Sequence, residues 1–427
     1  MTGFLVLLCV LVLVLINVPI AVALCIASVI AMLATQGVGS LPNVAIALYQ
    51  GATSFPLIAI PLFILAAAIM NTTGISHRLI DFCQALVGWV RGALAQVNVL
   101  SHMFFAEISG SAVAGVAATA SIIMPAMKAR GYPGPFTAAV TSSTATLAII
   151  IPPSIPMILY AVMAGTSVVQ MFVAGIVPGL IASGGFMGLC YWYALRYNWP
   201  VEQVFEWGKL WSAFKHAFWA LTLPVIILGG IFGGIVTATE GAALAVVASL
   251  LVGGLVYREL DWARLREAII DGTVQTGTVM LLVAASALLG LYLTEVQLPQ
   301  RIAEAMLAIT QERWAILAIM NVFFLVIGMF LHSAAAIILV VPIVMPAVTA
   351  AGIDPVHFGV MVTLNLAIGQ QTPPVASVLL LTCSIAKESV WDVTKANIPF
   401  IAVLLFVLLL ITYVPAVTLG LVDFFYK

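Results

Sequence analysis

Apolar runs long enough to cross a bilayer follow one another along almost the whole chain, and few charged side chains interrupt them. A helical span takes about 20 residues, so the chain is predicted to be an all-α polytopic membrane protein. Composition points the same way. Of 427 residues, 63% are hydrophobic and 7% charged, against roughly 25% charged in soluble domains. Such a chain could not cover the surface of a cytosolic enzyme or of a disordered scaffold. Lys and Arg number 15 and Asp and Glu 16, for a net charge of −1, with no basic block to grip nucleic acid. The partner that composition does imply is the lipid bilayer. Cys9, Cys25, Cys83, Cys190 and Cys383 are odd in number and form no C-x-x-C, which argues against a disulfide framework or a zinc site. The apolar N-terminus lacks a basic n-region and an A-x-A site, so it reads as a retained first span rather than a signal peptide.

Two short spans are predicted at about 2–17 and 19–35, broken near Asn17-Val18-Pro19, and a third at 56–75. An amphipathic stretch covers 76–94. Then come 95–127, interrupted at Ser109-Gly110-Ser111, and 135–163, interrupted at Pro152-Pro153. A span at 168–196 leads into a charged, Trp-rich stretch, 197–216. The second half repeats the grammar. Spans at 219–237, 238–256 and 272–293 precede an amphipathic stretch, 294–313. Next are 314–348, interrupted near His332-Ser333, then 357–386, interrupted at Pro373-Pro374, and a last span at 398–422. The three amphipathic stretches are expected to be interfacial helices.

Met124-Pro125-Ala126 and Pro152-Pro153 recur 221 residues later as Met345-Pro346-Ala347 and Pro373-Pro374, and Gly131 and Gly352 keep the same register. The chain therefore reads as an internal duplication, with a first repeat over 1–216 (197–216 its cytoplasmic linker) and a second over 217–427. If each interrupted run, 95–127 and 314–348, is a hairpin returning to its own side, Arg78, Arg91, Lys128, Arg130, Arg196, Lys209, Lys215, Arg258, Arg264, Arg266, Lys387 and Lys395 share one face. Only Arg301, Arg313 and Lys427 take the other. The positive-inside rule makes the first face cytoplasmic and both termini periplasmic. The repeats are then inverted, and inverted repeats with broken helices are the build of secondary transporters, with the site at the midplane.

Unpaired backbone survives in lipid only where it lines a protein-walled cavity, so the interruptions mark the candidate site. Ser109, Gly110 and Ser111 offer a turn and hydroxyl ligands; the plain alternative is small-residue helix packing. Ser142, Ser143 and Thr144 match Leu364-Asn365 in register, and could hold a cation or a ligand or simply bond their own helix carbonyls. Pro152-Pro153-Ser154 and Gly369-Gln370-Gln371-Thr372-Pro373-Pro374 are the sharpest signals. Successive prolines remove backbone donors and stop a helix, and Na⁺ is a natural partner for the freed carbonyls. Gln370 and Gln371 are costly to bury unpaired. His102, Glu107 and His332 are candidates because intramembrane ionisable groups often are functional. Glu240, after Thr237, fits a helix cap as well as a ligand role. The chain holds no P-loop, no H-E-x-x-H, no G-x-S-x-G and no TVGYG-like filter, which argues against an ATPase, two hydrolase classes and a potassium channel.

The segments SGSAVAGVAATASIIMPAM, IIPPSIPMILY, ATEGAALAV and GQQTPPVASVLLL resemble the large membrane subunit of the tripartite ATP-independent periplasmic (TRAP) transporters, over essentially the whole chain. The resemblance implies Na⁺-coupled import of an organic acid, such as a C4-dicarboxylate or sialic acid, across the bacterial inner membrane. It implies a small four-span membrane subunit, a periplasmic substrate-binding protein and an elevator mechanism, with no enzymatic step and no cofactor beyond Na⁺ as coupling ion. Carried over by motif, Na⁺ should lie near Ser109, Gly110, Ser111, Pro152, Ser333, Gly369 and Thr372. Many members have apolar residues before the second T-P-P and Gly after it; here Gln370-Gln371 precede it and Ala376 follows, so the motif does not fix the substrate. Two other readings stand beside this one. One is a stand-alone ion-coupled carboxylate carrier of the same superfamily; the other is a membrane-embedded enzyme or scaffold, for which His102 and Glu107 are the only near pair.

Overall fold

The computed structural model describes residues 2–16, 18–199 and 201–426, and among them every regular element is a helix. The first half contains α1 (Thr2–Leu15), α2 (Ile20–Gln36), α3 (Leu41–Ala52), α4 (Ala59–Thr72) and α5 (Ile75–Val87). It continues through α6 (Ala93–Ser109), α7 (Ala112–Ala129), α8 (Gly134–Ala145), α9 (Ile155–Ala164) and α10 (Val168–Arg196). The second half contains α11 (Trp207–Phe232), α12 (Ala238–Leu251), α13 (Trp262–Glu295), α14 (Leu298–Ile309) and α15 (Arg313–Phe330). After these come α16 (Ser333–Ala350), α17 (Pro355–Gly369), α18 (Ser377–Ala386), α19 (Val390–Tyr413) and α20 (Ala416–Tyr426). Nine helices among the described residues are long and apolar enough to cross a membrane.

The 221-residue register carries through the elements. Shifted by it, the hairpin α6–α7 falls on α15–α16, and the broken helix α8–α9 falls on α17–α18. Pro125 and Pro346 both lie inside the second helix of their hairpin. Gly131 and Gly352 both take positive φ, 82° and 67°, just beyond that helix, a conformation that glycine adopts without a Cβ clash. The packing crosses between halves: α4 lies against α12 and α13, α2 against α13, α16 against α9, α7 against α18, and α19 against α8. Helices α1–α4 and α11–α13 thus flank a core of hairpins and broken helices, with α5 and α14 joining the two groups. Large apolar side chains remain exposed on the outer faces, among them Ile235, Val274, Val322 and Phe406, as a lipid-facing surface requires.

Several expectations need correction. Residues 197–216 are not one interfacial helix: residues 201–206 form no regular structure, and α11 runs unbroken from Trp207 through the following span. Hydrogen bonds explain the extended strap. Gly88 O accepts from the backbone N–H of Glu202 and of Gln203, each at 3.2 Å, and Arg130 pairs with Glu202 at 2.5 Å. The last predicted span, 398–422, is two helices, parted at Val414-Pro415, because proline lacks the N–H that would continue the ladder. Helix α3, in a stretch to which the sequence assigned no element, packs on α13, where a Cβ on Gly51 would lie 2.3 Å from Ala287 Cβ. The span predicted at 272–293 is the apolar part of a 34-residue helix that begins at Trp262, with the Asp261 side chain accepting from Arg264 N–H as its cap. Thr237 and Glu240 form a capping box on α12, which settles Glu240 as a helix cap. Asn17, at the first predicted break, and Lys427, in the charge split, lie outside the described residues.

Candidate functional site: four helix breaks in contact

Each hairpin tip rests on the broken helix of its own half. At the first tip, Gly110 has φ +56° and no room for a side chain: a Cβ there would lie 2.6 Å from Pro153 O. Its carbonyl accepts from Ile155 N–H at 3.3 Å. Ser109 Oγ donates to Phe105 O at 3.0 Å, and Ser111 caps α7 through Ala114 N–H. Ser154 caps α9, and its hydroxyl donates to Ile149 O at 2.7 Å, which satisfies one carbonyl freed by Pro152-Pro153. That proline pair and Pro373-Pro374 are both joined by cis peptide bonds.

The second tip repeats the arrangement with other residues. Gly328 meets Gly369 backbone to backbone, and Met329 O accepts from Val375 N–H at 3.1 Å. His332 precedes α16 without capping it and is exposed at the tip, whereas Ser333 is buried. Thr372 Oγ1 donates to Ile368 O at 2.9 Å.

The two breaks are bridged through Gln371. Ser143 Oγ lies 2.7 Å from Gln371 Oε1 and 2.5 Å from Asn397 Oδ1. Asn397 Nδ2 donates to Gln371 Oε1 at 3.1 Å, and Gln371 Nε2 donates to Thr146 Oγ1 at 2.8 Å. Each hairpin tip thus meets the broken helix of its own half, at Gly110–Pro153 and Gly328–Gly369, and Gln371 ties the two broken helices together through Ser143 and Thr146.

A second polar network stands apart from the breaks. Asn98 Nδ2 donates to Thr141 Oγ1 at 2.8 Å. His102 is within hydrogen-bonding distance of Asn98 O and Thr144 Oγ1 through Nδ1, at 2.9 and 3.1 Å, and of Thr119 Oγ1 through Nε2, at 2.9 Å. Both ring nitrogens have partners, so His102 and Thr144 fasten α6 to α7 and α8. In the second half, Asn365 Nδ2 donates to Asn321 Oδ1 at 2.7 Å, and Asn321 Nδ2 donates to Thr412 Oγ1 at 3.0 Å. Asn98, Thr146, Asn321 and Asn397 were not singled out by sequence reasoning. Amides inside apolar runs were the available signal, because a buried amide demands a partner.

Not every polar group at the breaks and in the adjoining helices α8 and α17 is paired. Ser142 Oγ, Ser333 Oγ, Asn365 Oδ1 and both side-chain polar atoms of Gln370 are buried without a hydrogen-bond partner. Helices α7, α9, α16 and α18 begin at these breaks, while α6, α15 and α17 end there. Helix N-termini carry partial positive charge and C-termini partial negative charge. Such a centre can hold an anionic group and a cation close together without any fixed charge of its own. No group of three or more His, Cys, Asp or Glu that could hold a metal occurs among the described residues.

Paired hairpins and broken helices around a membrane-buried polar centre define a transporter architecture. Comparison with known proteins specifies it. Residues 7–417 match the family described as "Tripartite ATP-independent periplasmic transporter, DctM component". The isethionate TRAP transporter permease protein DctMQ of Oleidesulfovibrio alaskensis is 40% identical over 395 residues, 91% of this chain. This chain spans only 62% of that longer relative. The C4-dicarboxylate TRAP transporter large permease protein DctM of Vibrio cholerae is 38% identical over 400 residues, 89% of this chain and 88% of that one. The 2,3-diketo-L-gulonate TRAP transporter large permease protein YiaN of Escherichia coli is 37% identical over 368 residues, 86% and 87% of the two chains. Among solved structures, the YdaH transporter of Alcanivorax borkumensis shares the fold with a TM-score of 0.65 at 14% identity, over 91% of this chain and 90% of that one. The chain belongs to the DctM family of TRAP transporter large permeases, multi-pass membrane proteins of transport systems.

Proposed function

We propose that this chain is the translocating subunit of a Na⁺-coupled importer of organic acids in the bacterial inner membrane. Support comes from the helix breaks, where polar atoms of Ser333 and Gln370 are buried without partners, as are those of Ser142 and Asn365 in the helices leading into them. Burying such groups unpaired costs about 1–3 kcal/mol each, and a bound ion and substrate would satisfy them. Carbonyls at the helix C-termini and the hydroxyls nearby suit Na⁺, near Ser109, Gly110, Ser111, Pro152, Ser333, Gly369 and Thr372. The N-termini of α7, α9, α16 and α18 suit the acid group. Named relatives handle isethionate, 2,3-diketo-L-gulonate and C4-dicarboxylates, all organic acids, and a C4-dicarboxylate, sialic acid or similar anion is the substrate class for this chain.

Transport proceeds in this proposal by an elevator motion: the hairpin-bearing core slides past α1–α4 and α11–α13, with α5 and α14 as arms. A small four-span membrane subunit stands beside the chain, and a periplasmic binding protein delivers the substrate. Both termini face the periplasm, and the inverted repeats divide at 216–217. If more Na⁺ ions than substrate charges move together, each net charge carried down about 100 mV contributes roughly 2.3 kcal/mol, and uptake is electrogenic.

Ser111→Ala and Thr372→Ala test the ion sites. Each should raise the Na⁺ concentration for half-maximal uptake by about tenfold, the effect of ~1.4 kcal/mol, while the protein stays folded. Wild-type Na⁺ activation in both variants would remove these residues from the ion sites.

A further inference from the structure

We infer that Gln370, and not its neighbour Gln371, selects the substrate, and that the substrate is an acid bearing a hydroxyl group beside its anionic group. The inference rests on the transport-site reading above and narrows it.

Two adjacent amides in one helix break have opposite surroundings. Gln371 is fully engaged: its Oε1 meets Ser143 Oγ and Asn397 Nδ2, and its Nε2 donates to Thr146 Oγ1. It holds the two broken helices together, and both of its side-chain polar atoms already have protein partners. Gln370 is just as deeply buried, at 2% exposure, yet neither Oε1 nor Nε2 has a partner. Its backbone is fixed on both sides: the N–H donates to Leu366 O at 3.0 Å, and the carbonyl accepts from Val378 N–H at 3.2 Å. The residue therefore sits between the end of α17 and the first turn of α18.

The orphaned amide specifies what would complete it. It presents one acceptor and one donor group side by side. A carboxylate or sulfonate oxygen only accepts, so it satisfies Nε2 and leaves Oε1 bare. A Na⁺ ion does the reverse. An acid oxygen on Nε2 and a Na⁺ on Oε1 fill both atoms only when both bind, whereas a single ligand whose anionic oxygen accepts from Nε2 while the hydroxyl on the neighbouring carbon donates to Oε1 satisfies both by itself. That is the pattern of a 2-hydroxycarboxylate or a 2-hydroxyalkanesulfonate. The breaks at 109–111, 150–154, 331–333 and 369–377 contain no Lys or Arg, so the anionic end would rely on helix N-termini, among them that of α18, whose first turn bonds Gln370. A site built to bond a hydroxyl discriminates strongly against the analogue that lacks it, because its own polar group is then left unpaired.

The test uses the full chain with its small subunit in lipid nanodiscs at saturating Na⁺, with ligand-induced thermal stabilisation as the readout. Matched probes are L-malate against succinate and isethionate against ethanesulfonate. In at least one pair the hydroxy acid should bind wild type at least about tenfold tighter than its deoxy partner, and Gln370→Leu should bring that ratio within about twofold. A second readout needs no ligand. Replacing an unpaired buried amide with an apolar side chain of similar shape is neutral or stabilising, whereas removing a bonded one is not. Ligand-free Gln370→Leu should therefore melt at or above the wild-type temperature, and Gln371→Leu below it. No hydroxyl preference in wild type, a preference unchanged in Gln370→Leu, or equal destabilisation by the two variants would overturn the inference and leave Na⁺-coupled acid transport standing. No Na⁺-dependent response to any acid would remove the transport-site reading as well.

Discussion

Gly328 of α15 and Gly369 of α17 touch backbone to backbone: a Cβ built on Gly369 would lie 2.3 Å from the carbonyl carbon of Gly328 and 2.6 Å from its oxygen. No side chain fits at position 369, whereas a Cβ on Gly328 would lie 3.2 Å from Gly369 Cα, a tight contact, so the second hairpin meets its broken helix this closely because position 369 is glycine. Gly369→Ala must push the two backbones apart. Overpacking of this kind costs about 1–3 kcal/mol, and the variant should melt at a lower temperature and lose uptake. Gly229→Ala is the control, since nothing lies within 4 Å of a Cβ there. Equal behaviour of the two variants would show that the contact does not matter.

The bridge between the broken helices is a cooperative group. Ser143→Ala and Asn397→Ala each leave buried partners unpaired and should each lower stability by about 1–3 kcal/mol. Both residues act on Gln371 Oε1, so the double variant should lose less than the sum of the single losses. Additive losses in urea or thermal unfolding would mean that the two residues act separately.

His102 is bonded at both ring nitrogens inside the first hairpin. His102→Ala should therefore weaken folding without changing the Na⁺ concentration for half-maximal uptake. A large shift in Na⁺ activation at unchanged stability would make it part of the ion path.

At the C-terminal end of α4, Glu259 joins α5 to the flanking helices. It pairs with Arg78 at 2.6 Å and accepts from Gly74 N–H, while the Arg78 guanidinium lies 3.9 Å over the Tyr257 ring. The Arg78 hydrogen bonds hold the Glu259 carboxyl below the usual carboxylate range. A group with a depressed folded pKa stabilises the fold above its unfolded pKa and loses that contribution as pH falls toward the folded value. Wild type should exceed Glu259→Gln in stability at neutral pH by about 1 kcal/mol or less, the value of a partly exposed pair. The difference should vanish as pH drops through and below the carboxylate range. A difference constant from neutral to acid pH would count against the pair.

The parts of this fold legible in the sequence were those set by backbone chemistry. Pro152-Pro153 and Pro373-Pro374 cannot continue a helix in lipid, and Ser109-Gly110-Ser111 and His332-Ser333 interrupt apolar runs, so breaks and hairpins stood out with their 221-residue register. Partnerships made across space did not. The residues 201–206 are charged and aromatic like an interfacial helix, and bonds to Gln84, Gly88 and Arg130 hold them out of one. Helix α3 packs on α13, a partner in the other half of the chain. Gln370 and Gln371 are identical as letters, and only their neighbours tell them apart. Asn98, Asn321 and Asn397 were visible as amides in apolar runs, but their partners lie 43, 91 and 26 residues away in sequence.

Uptake into proteoliposomes tests the central claim most directly. The vesicles would hold this chain with its small subunit, under an inward Na⁺ gradient, with labelled organic acids and with or without the periplasmic binding protein. The account predicts uptake that requires both Na⁺ and the binding protein and that slows when the membrane voltage is clamped at zero. Uptake without Na⁺, or at the same rate without the binding protein, would contradict it.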